Sequence, residues 1–117
     1  MVDDAPALRL LCKVNLELEG YRVLEAATLS TARALLESEP VEVVLLDLRV
    51  GHERGEALLD ELRQREPRIP VAVVTGSAEI RSGADGTEPD ARLAKPFTID
   101  ALLDTVRSLV PRPPIRS

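Results

Sequence analysis

Val43-Val44-Leu45-Leu46-Asp47 is a run of four aliphatic residues that stops at a carboxylate. A strand with one wet face alternates apolar and polar residues. A continuous apolar run instead reads as a strand covered on both faces. Pro70-Val71-Ala72-Val73-Val74-Thr75 has the same form and ends in a hydroxyl. Two shorter stretches repeat the idea: Met1-Val2 before Asp3-Asp4, and Arg92-Leu93-Ala94 before Lys95-Pro96. Tyr21 to Glu25 is a further short strand candidate.

Helical patterns fill the gaps. Pro6 suits a first helical turn, Leu8, Leu11, Cys12 and Leu16 recur at helical spacing, and Gly20 ends the segment. Thr28 or Ser30 can cap a second helix with Ala32, Leu35 and Leu36 on its apolar face, closed by Pro40. Gly51 to Gly55 reads as a loop, and a third helix with Leu58, Leu59 and Leu62 runs on to a stop at Pro67. Thr98 or Asp100 starts a last helix through Leu102, Val106 and Leu109. The stretch 76–90 has three glycines, one proline and little periodicity, so the helix expected there is short or irregular.

Strand and helix alternation of this kind predicts an α/β fold with a parallel sheet and right-handed crossovers. Ligands of such sheets sit at the carboxyl ends of the strands. Asp3, Asp4, Asp47, Thr75 and Lys95 would therefore meet in one crevice. Two carboxylates about 4 Å apart repel by roughly 4 kcal/mol at an effective dielectric near 20. Such a cluster calls for a cation, and a hard divalent ion with oxygen ligands fits.

Composition narrows the rest. At 117 residues the chain is one ordinary domain, 44% hydrophobic, with Tyr21 and Phe97 its only aromatics. A net charge of -5 argues against a nucleic-acid surface. Cys12 is the single cysteine, which excludes an internal disulfide and points to a cytoplasmic setting; it reads as a core filler. One Cys and one His cannot make a Cys/His zinc site, and His52 falls on the exposed 51–55 loop. No apolar run approaches the roughly 18 residues of a membrane span. Residues 111–117 are Pro-rich and read as a tail or linker after a domain over 1–110.

Val2-Asp3-Asp4, Leu45-Leu46-Asp47-Leu48-Arg49 with Gly55 after it, Val73-Val74-Thr75-Gly76 and Ala94-Lys95-Pro96-Phe97 resemble the receiver domain of two-component response regulators. Taken singly, the acidic pair also suits a helix cap, Thr75 a strand residue and Lys95 a surface lysine. Four elements in order carry the resemblance. It implies a doubly wound, flavodoxin-like sheet of five parallel strands in the order 2-1-3-4-5. It implies a signalling switch that accepts a phosphoryl group on Asp47 from a histidine kinase or phosphotransfer protein. Self-phosphorylation and autodephosphorylation would be its sole chemistry, with an effector domain or downstream protein reading the result. Magnesium would be held by Asp3, Asp4, Asp47 and the backbone carbonyl of Arg49. Thr75 and Lys95 would bind phosphoryl oxygens, and the bond before Pro96 would be cis. The alternative is a receiver-like interaction module whose output ignores phosphate. A small magnesium-dependent phosphatase lacks an acid/base beside Asp47, and a flavodoxin lacks the aromatics for a flavin.

Three departures from the family stand out. The apolar run before the acidic pair is only Met1-Val2, where the family has about four residues, and residues missing at the start are expected. The position of the switch aromatic is Arg92. Gly83-Ala84-Asp85-Gly86 lies further from the last strand than usual. With an arginine at the switch position, phosphorylation is expected to act by ordering the 76–90 stretch.

Overall fold

The computed structural model describes residues 1–76 and 88–110. The irregular helix expected within 76–90, its ordering on phosphorylation and the Pro-rich tail fall largely or wholly on residues outside that range.

Three strands form a parallel sheet: β1 (Val44–Leu46), β4 (Val71–Gly76) and β5 (Ala91–Lys95), in the order β1-β4-β5. Val44 stands opposite Val71, and Thr75 opposite Ala94. The two other expected strands contribute single bridges. Val2 bridges both Leu46 and Ala26 in parallel sense. The order across the sheet is therefore the 24–26 segment, the chain start, β1, β4 and β5, which is the 2-1-3-4-5 arrangement. Val2 N donates to Leu45 O at 2.8 Å and Asp47 N to Val2 O at 3.0 Å. On the other side Ala26 N donates to Met1 O at 2.9 Å. Tyr21–Glu25, expected as a strand, forms no ladder; the bridge falls one residue beyond it, at Ala26.

Alternation along the strands divides the core in two. Val44, Leu46, Val71 and Val73 pack with Ala32, Leu36, Leu58, Leu59 and Leu62. Those residues belong to α2 (Leu29–Ser38) and α3 (Glu56–Arg63). Leu45, Ala72, Val74 and Leu93 pack with Cys12, Leu16, Leu102 and Val106 on the other face. That face is covered by α1 (Pro6–Leu18) and α4 (Ile99–Leu109). The continuous apolar runs are continuous because each residue serves one of two cores.

Caps fall where side chains can supply them. Thr28 Oγ1 accepts from Thr31 N, and Thr98 Oγ1 from Ala101 N at 3.0 Å. Leu11, expected on the apolar face of α1, is half exposed beside Leu10, Val14 and Leu18. Residues 49–54, read mostly as loop, form a small hairpin. β2 (Arg49–Val50) pairs with β3 (Glu53–Arg54) in antiparallel sense. Gly51-His52 is the turn, with Gly51 at φ 63, where a Gly-X loop is favoured. The hairpin also serves α2: Glu53 Oε1 accepts from Leu29 N at 3.0 Å.

The amino end of the sheet is less full. A cavity of about 560 Å3 opens below Met1, lined by Tyr21, Leu24, Leu35, Val43 and Val106 among others. The Met1 ammonium donates to Leu24 O at 2.8 Å at its edge. Among the described residues, no helix is long and apolar enough to cross a membrane.

Candidate functional site

Asp3 and Asp4 follow the bridge at Val2, and Asp47 follows β1, so neighbouring strand positions deliver all three to one end of the sheet. Their carboxylates come together, with one oxygen of each within 4.8 Å of the others. Asp3 is fully buried, Asp47 is 5% exposed and Asp4 faces solvent. Lys95, at the end of β5, closes the group. Its Nζ donates to Asp47 Oδ2 at 2.9 Å and to Asp3 Oδ2 at 3.1 Å.

Two backbone amides fix the carboxylates. Ala5 N donates to Asp3 Oδ1 at 2.9 Å, and Arg49 N to Asp47 Oδ1 at 3.0 Å. Burial pushes the Asp47 carboxyl above its ordinary range; the Arg49 amide and the Lys95 ammonium oppose this without offsetting it. Burial also works to lower Lys95, but its hydrogen bonds to Asp47 and Asp3 outweigh that and hold it above its ordinary value. The lysine therefore stays charged and neutralises part of the cluster.

Gly55 brings the hairpin back against the site. Its N donates to Leu48 O at 2.8 Å. A Cβ at Gly55 would lie 2.3 Å from Asp47 O and 3.0 Å from Leu48 Cα. The position requires glycine because backbone meets backbone there. The sequence marked Gly55 as the end of a loop and as part of the receiver-like pattern, but not this contact. Arg9 gave no sequence signal either. Its Nη1 donates to Asp3 O at 2.7 Å and its Nε to Glu25 Oε1 at 3.2 Å.

Thr75 is buried at the end of β4, in register with Ala94, next to Lys95. The Lys95-Pro96 bond is cis, as is Glu66-Pro67. Arg92 is exposed on β5 and its Nη2 meets Glu88 Oε1 at 2.5 Å. His52 is exposed in the hairpin turn. The donor set suits a small hard cation. Its side chains offer carboxylate oxygens, and three carboxylates against one ammonium leave two negative charges for a divalent ion to balance.

A doubly wound sheet with an acidic trio and a lysine at its carboxyl end is the arrangement expected of a receiver domain. The family model of the response regulator receiver domain matches residues 1–107, and the chain belongs to that family. It is 32% identical over 116 residues to the DNA-binding dual master transcriptional regulator RpaA of a Synechocystis strain, covering 96% of this chain and 48% of RpaA. It is 38% identical over 95 residues to the hydrogenase transcriptional regulatory protein HoxA of Cupriavidus necator, covering 79% of this chain and 20% of HoxA. The chain thus spans half or less of these curated relatives. Among solved structures it is similar to a CheY-like receiver domain protein of Methanospirillum hungatei, with TM-score 0.83, 30% identity and 92% and 87% of the two chains covered. It is also similar to a Burkholderia pseudomallei response regulator solved with a phosphorylated aspartic acid, a calcium ion and citrate. That match has TM-score 0.77 and 26% identity and covers 94% and 64% of the two chains. Receiver domains of response regulators are signalling switches, and the flavodoxin-like fold agrees.

Proposed function

We propose that this chain is a magnesium-dependent phosphoacceptor switch and that Asp47 carries the phosphoryl group. The observation behind the reading is the meeting of Asp3, Asp4 and Asp47, with one oxygen of each within 4.8 Å of the others and Lys95 hydrogen-bonded to two of them. The Asp47 carboxylate attacks phosphorus, a P–O bond forms, and the P–N bond to the donor histidine breaks with the electron pair leaving on nitrogen. Phosphoryl transfer asks for positioning and charge neutralisation more than for bond-making groups. Lys95 supplies an ammonium for the phosphoryl oxygens, and Thr75 a hydroxyl. Asp3, Asp4, Asp47 and the Arg49 carbonyl would hold the ion, which supplies charge neutralisation when bound. The Burkholderia relative, solved with a phosphorylated aspartic acid and a calcium ion, supports the reading.

The partners follow from this chemistry. A histidine kinase or phosphotransfer protein donates, and an effector domain or a downstream protein responds. The domain itself makes no nucleic-acid contact, acts in the cytoplasm and turns over no external substrate. The domain spans 1–110, with 111–117 as tail or linker. Arg92 occupies the switch position. Its exposure and its contact with Glu88 favour the second reading, an interaction module indifferent to phosphate. Mass spectrometry after treatment with magnesium and acetyl phosphate separates the two. One added phosphoryl group on the wild type, absent from Asp47→Asn, is expected. A folded wild type that stays unmodified in magnesium supports the second reading.

A further inference from the structure

Asp3 has a partner for every polar group it carries. Its N donates to Ala26 O at 3.0 Å, its Oδ1 accepts from Ala5 N at 2.9 Å and its Oδ2 from Lys95 Nζ at 3.1 Å. The fourth group, its carbonyl oxygen, accepts from Arg9 Nη1 at 2.7 Å. That carbonyl belongs to the peptide plane joining Asp3 to Asp4. Turning the plane would swing the exposed Asp4 side chain relative to the buried Asp3 carboxylate. Arg9 thus holds the one rigid unit that relates the two acids.

Arg9 is itself held. Its Nε meets Glu25 Oε1 at 3.2 Å, while Lys13 Nζ sits 3.6 Å from Glu25 Oε2. The Arg9 side chain is 16% exposed. A guanidinium can point two donors in fixed directions, and here one goes to the site and the other to the brace. Glu25 is next to Ala26, whose carbonyl receives Asp3 N. The brace and the acid are therefore tied to the same short segment.

We infer that Arg9, braced by Glu25, is a positioning residue for the metal site: it fixes the Asp3–Asp4 peptide so that Asp4 reaches the cation alongside Asp3 and Asp47. The inference rests on the magnesium reading above. It makes a prediction opposite in sign to that of charge alone. A positive side chain beside a cation site repels the cation, so Arg9 acting only as a charge would make Arg9→Gln bind magnesium more tightly. As a positioning group its loss weakens binding. Groups that orient metal ligands typically contribute tenfold or more to affinity.

The test is calorimetric titration of magnesium into the wild type, Arg9→Gln, Arg9→Lys and Arg33→Gln, each with its thermal midpoint. Arg33→Gln removes a surface pair with Glu61, remote from the site, and reports what a small loss of stability does to binding. Expected are about tenfold weaker binding in Arg9→Gln, an intermediate loss in Arg9→Lys and no change in Arg33→Gln. Lysine keeps the charge but cannot serve both the carbonyl and Glu25 with a fixed fork. Equal or tighter binding in a folded Arg9→Gln overturns the inference. If Arg9→Gln does not fold, Arg9→Lys decides, and wild-type affinity there overturns it. A wild type that binds no magnesium removes the metal reading itself, a result distinct from a wild type and variant that bind alike.

Discussion

The segment Met1–Asp3 ends at one side in a site where each polar group of Asp3 is satisfied, and at the other on a cavity of about 560 Å3. The carboxyl end of the sheet is organised by directional bonds among charged groups. The amino end depends on apolar contact, and the contact is incomplete. The difference teaches where each kind of substitution is felt. At the site a single misplaced atom meets backbone. At the other end there is room.

The strongest test of the contrast is Gly55→Val. A Cβ there would lie 2.3 Å from Asp47 O, and a valine adds two further carbons. The hairpin has to move away from Asp47. Overpacking of this kind costs about 1–3 kcal/mol, and the upper part of that range is expected because the clash is with backbone. Urea denaturation should show it. Phosphorylation of Asp47 should fall with it, since the displaced backbone carries the acceptor. A wild-type midpoint in this variant would mean that the site end has slack as well.

Lys95→Ala comes next. It leaves Asp47 without its ammonium while burial continues to push the carboxyl up. Charged hydrogen bonds contribute about 1.5–3 kcal/mol, and the part-exposed lysine places the loss near the low end, about 1–2 kcal/mol. The sign with pH can be worked out. A carboxyl raised above its unfolded value binds its proton more readily in the folded chain. Stability therefore falls as pH rises from about 3.8 through the folded value. Removing Lys95 pushes that value further up and widens the window. The cost of Lys95→Ala should be larger at pH 7 than at pH 4, and magnesium should restore part of it. Denaturation at the two pH values, with and without magnesium, checks this.

Much of the contrast was legible beforehand. Asp47 after Val43–Leu46 announced both the buried strand and the group at its end. The second acidic position, Asp3-Asp4, followed from the same logic, as did Lys95. The hairpin was harder, because β2 and β3 have two residues each and no alternation can be read from so few. Gly51-His52 was its one local signal. Arg9 and Glu25 are 16 residues apart, and no periodicity links them; only the bridge at Ala26 does. Leu11 was placed inward on helical spacing, but the covered face of α1 is narrower than the apolar one and stops at Cys12 and Leu16.

The amino end has its own pH signature. Burial lowers the Met1 ammonium from 8.0 to about 6. A base with a depressed folded value favours its neutral form in the folded chain. The unfolded chain binds more protons between about pH 6 and 8, so stability should drop as pH falls from 8 to 6. Two units correspond at most to about 2.7 kcal/mol, and partial exposure of Met1 reduces this to about 1 kcal/mol. Thermal midpoints of the 117-residue chain across this range should slope accordingly. Acetylating the Met1 amine should flatten the slope, and an unchanged slope would assign it to other groups.

The smallest effect should come from filling the cavity. Ala32 lies in α2, is 3% exposed and lines the cavity wall. Leucine keeps helix propensity nearly equal to alanine. The three added carbons would bury apolar surface against Leu35, Leu36 and Val41, which line the same space. Full burial of such a side chain contributes up to about 2 kcal/mol. Ala32 also packs in the β1–α2 core, so part of the new side chain has to displace its neighbours. The net gain should be about 0.5–1 kcal/mol. Magnesium affinity should not change, because the wall is at the opposite end of the sheet from Asp3 and Asp47. Denaturant midpoints and a magnesium titration of Ala32→Leu measure both parts. A stabilised variant with wild-type magnesium binding means the two ends are energetically separate. A change in magnesium affinity means that Met1–Asp3 transmits packing from one end to the other, and the contrast would have to be replaced by coupling.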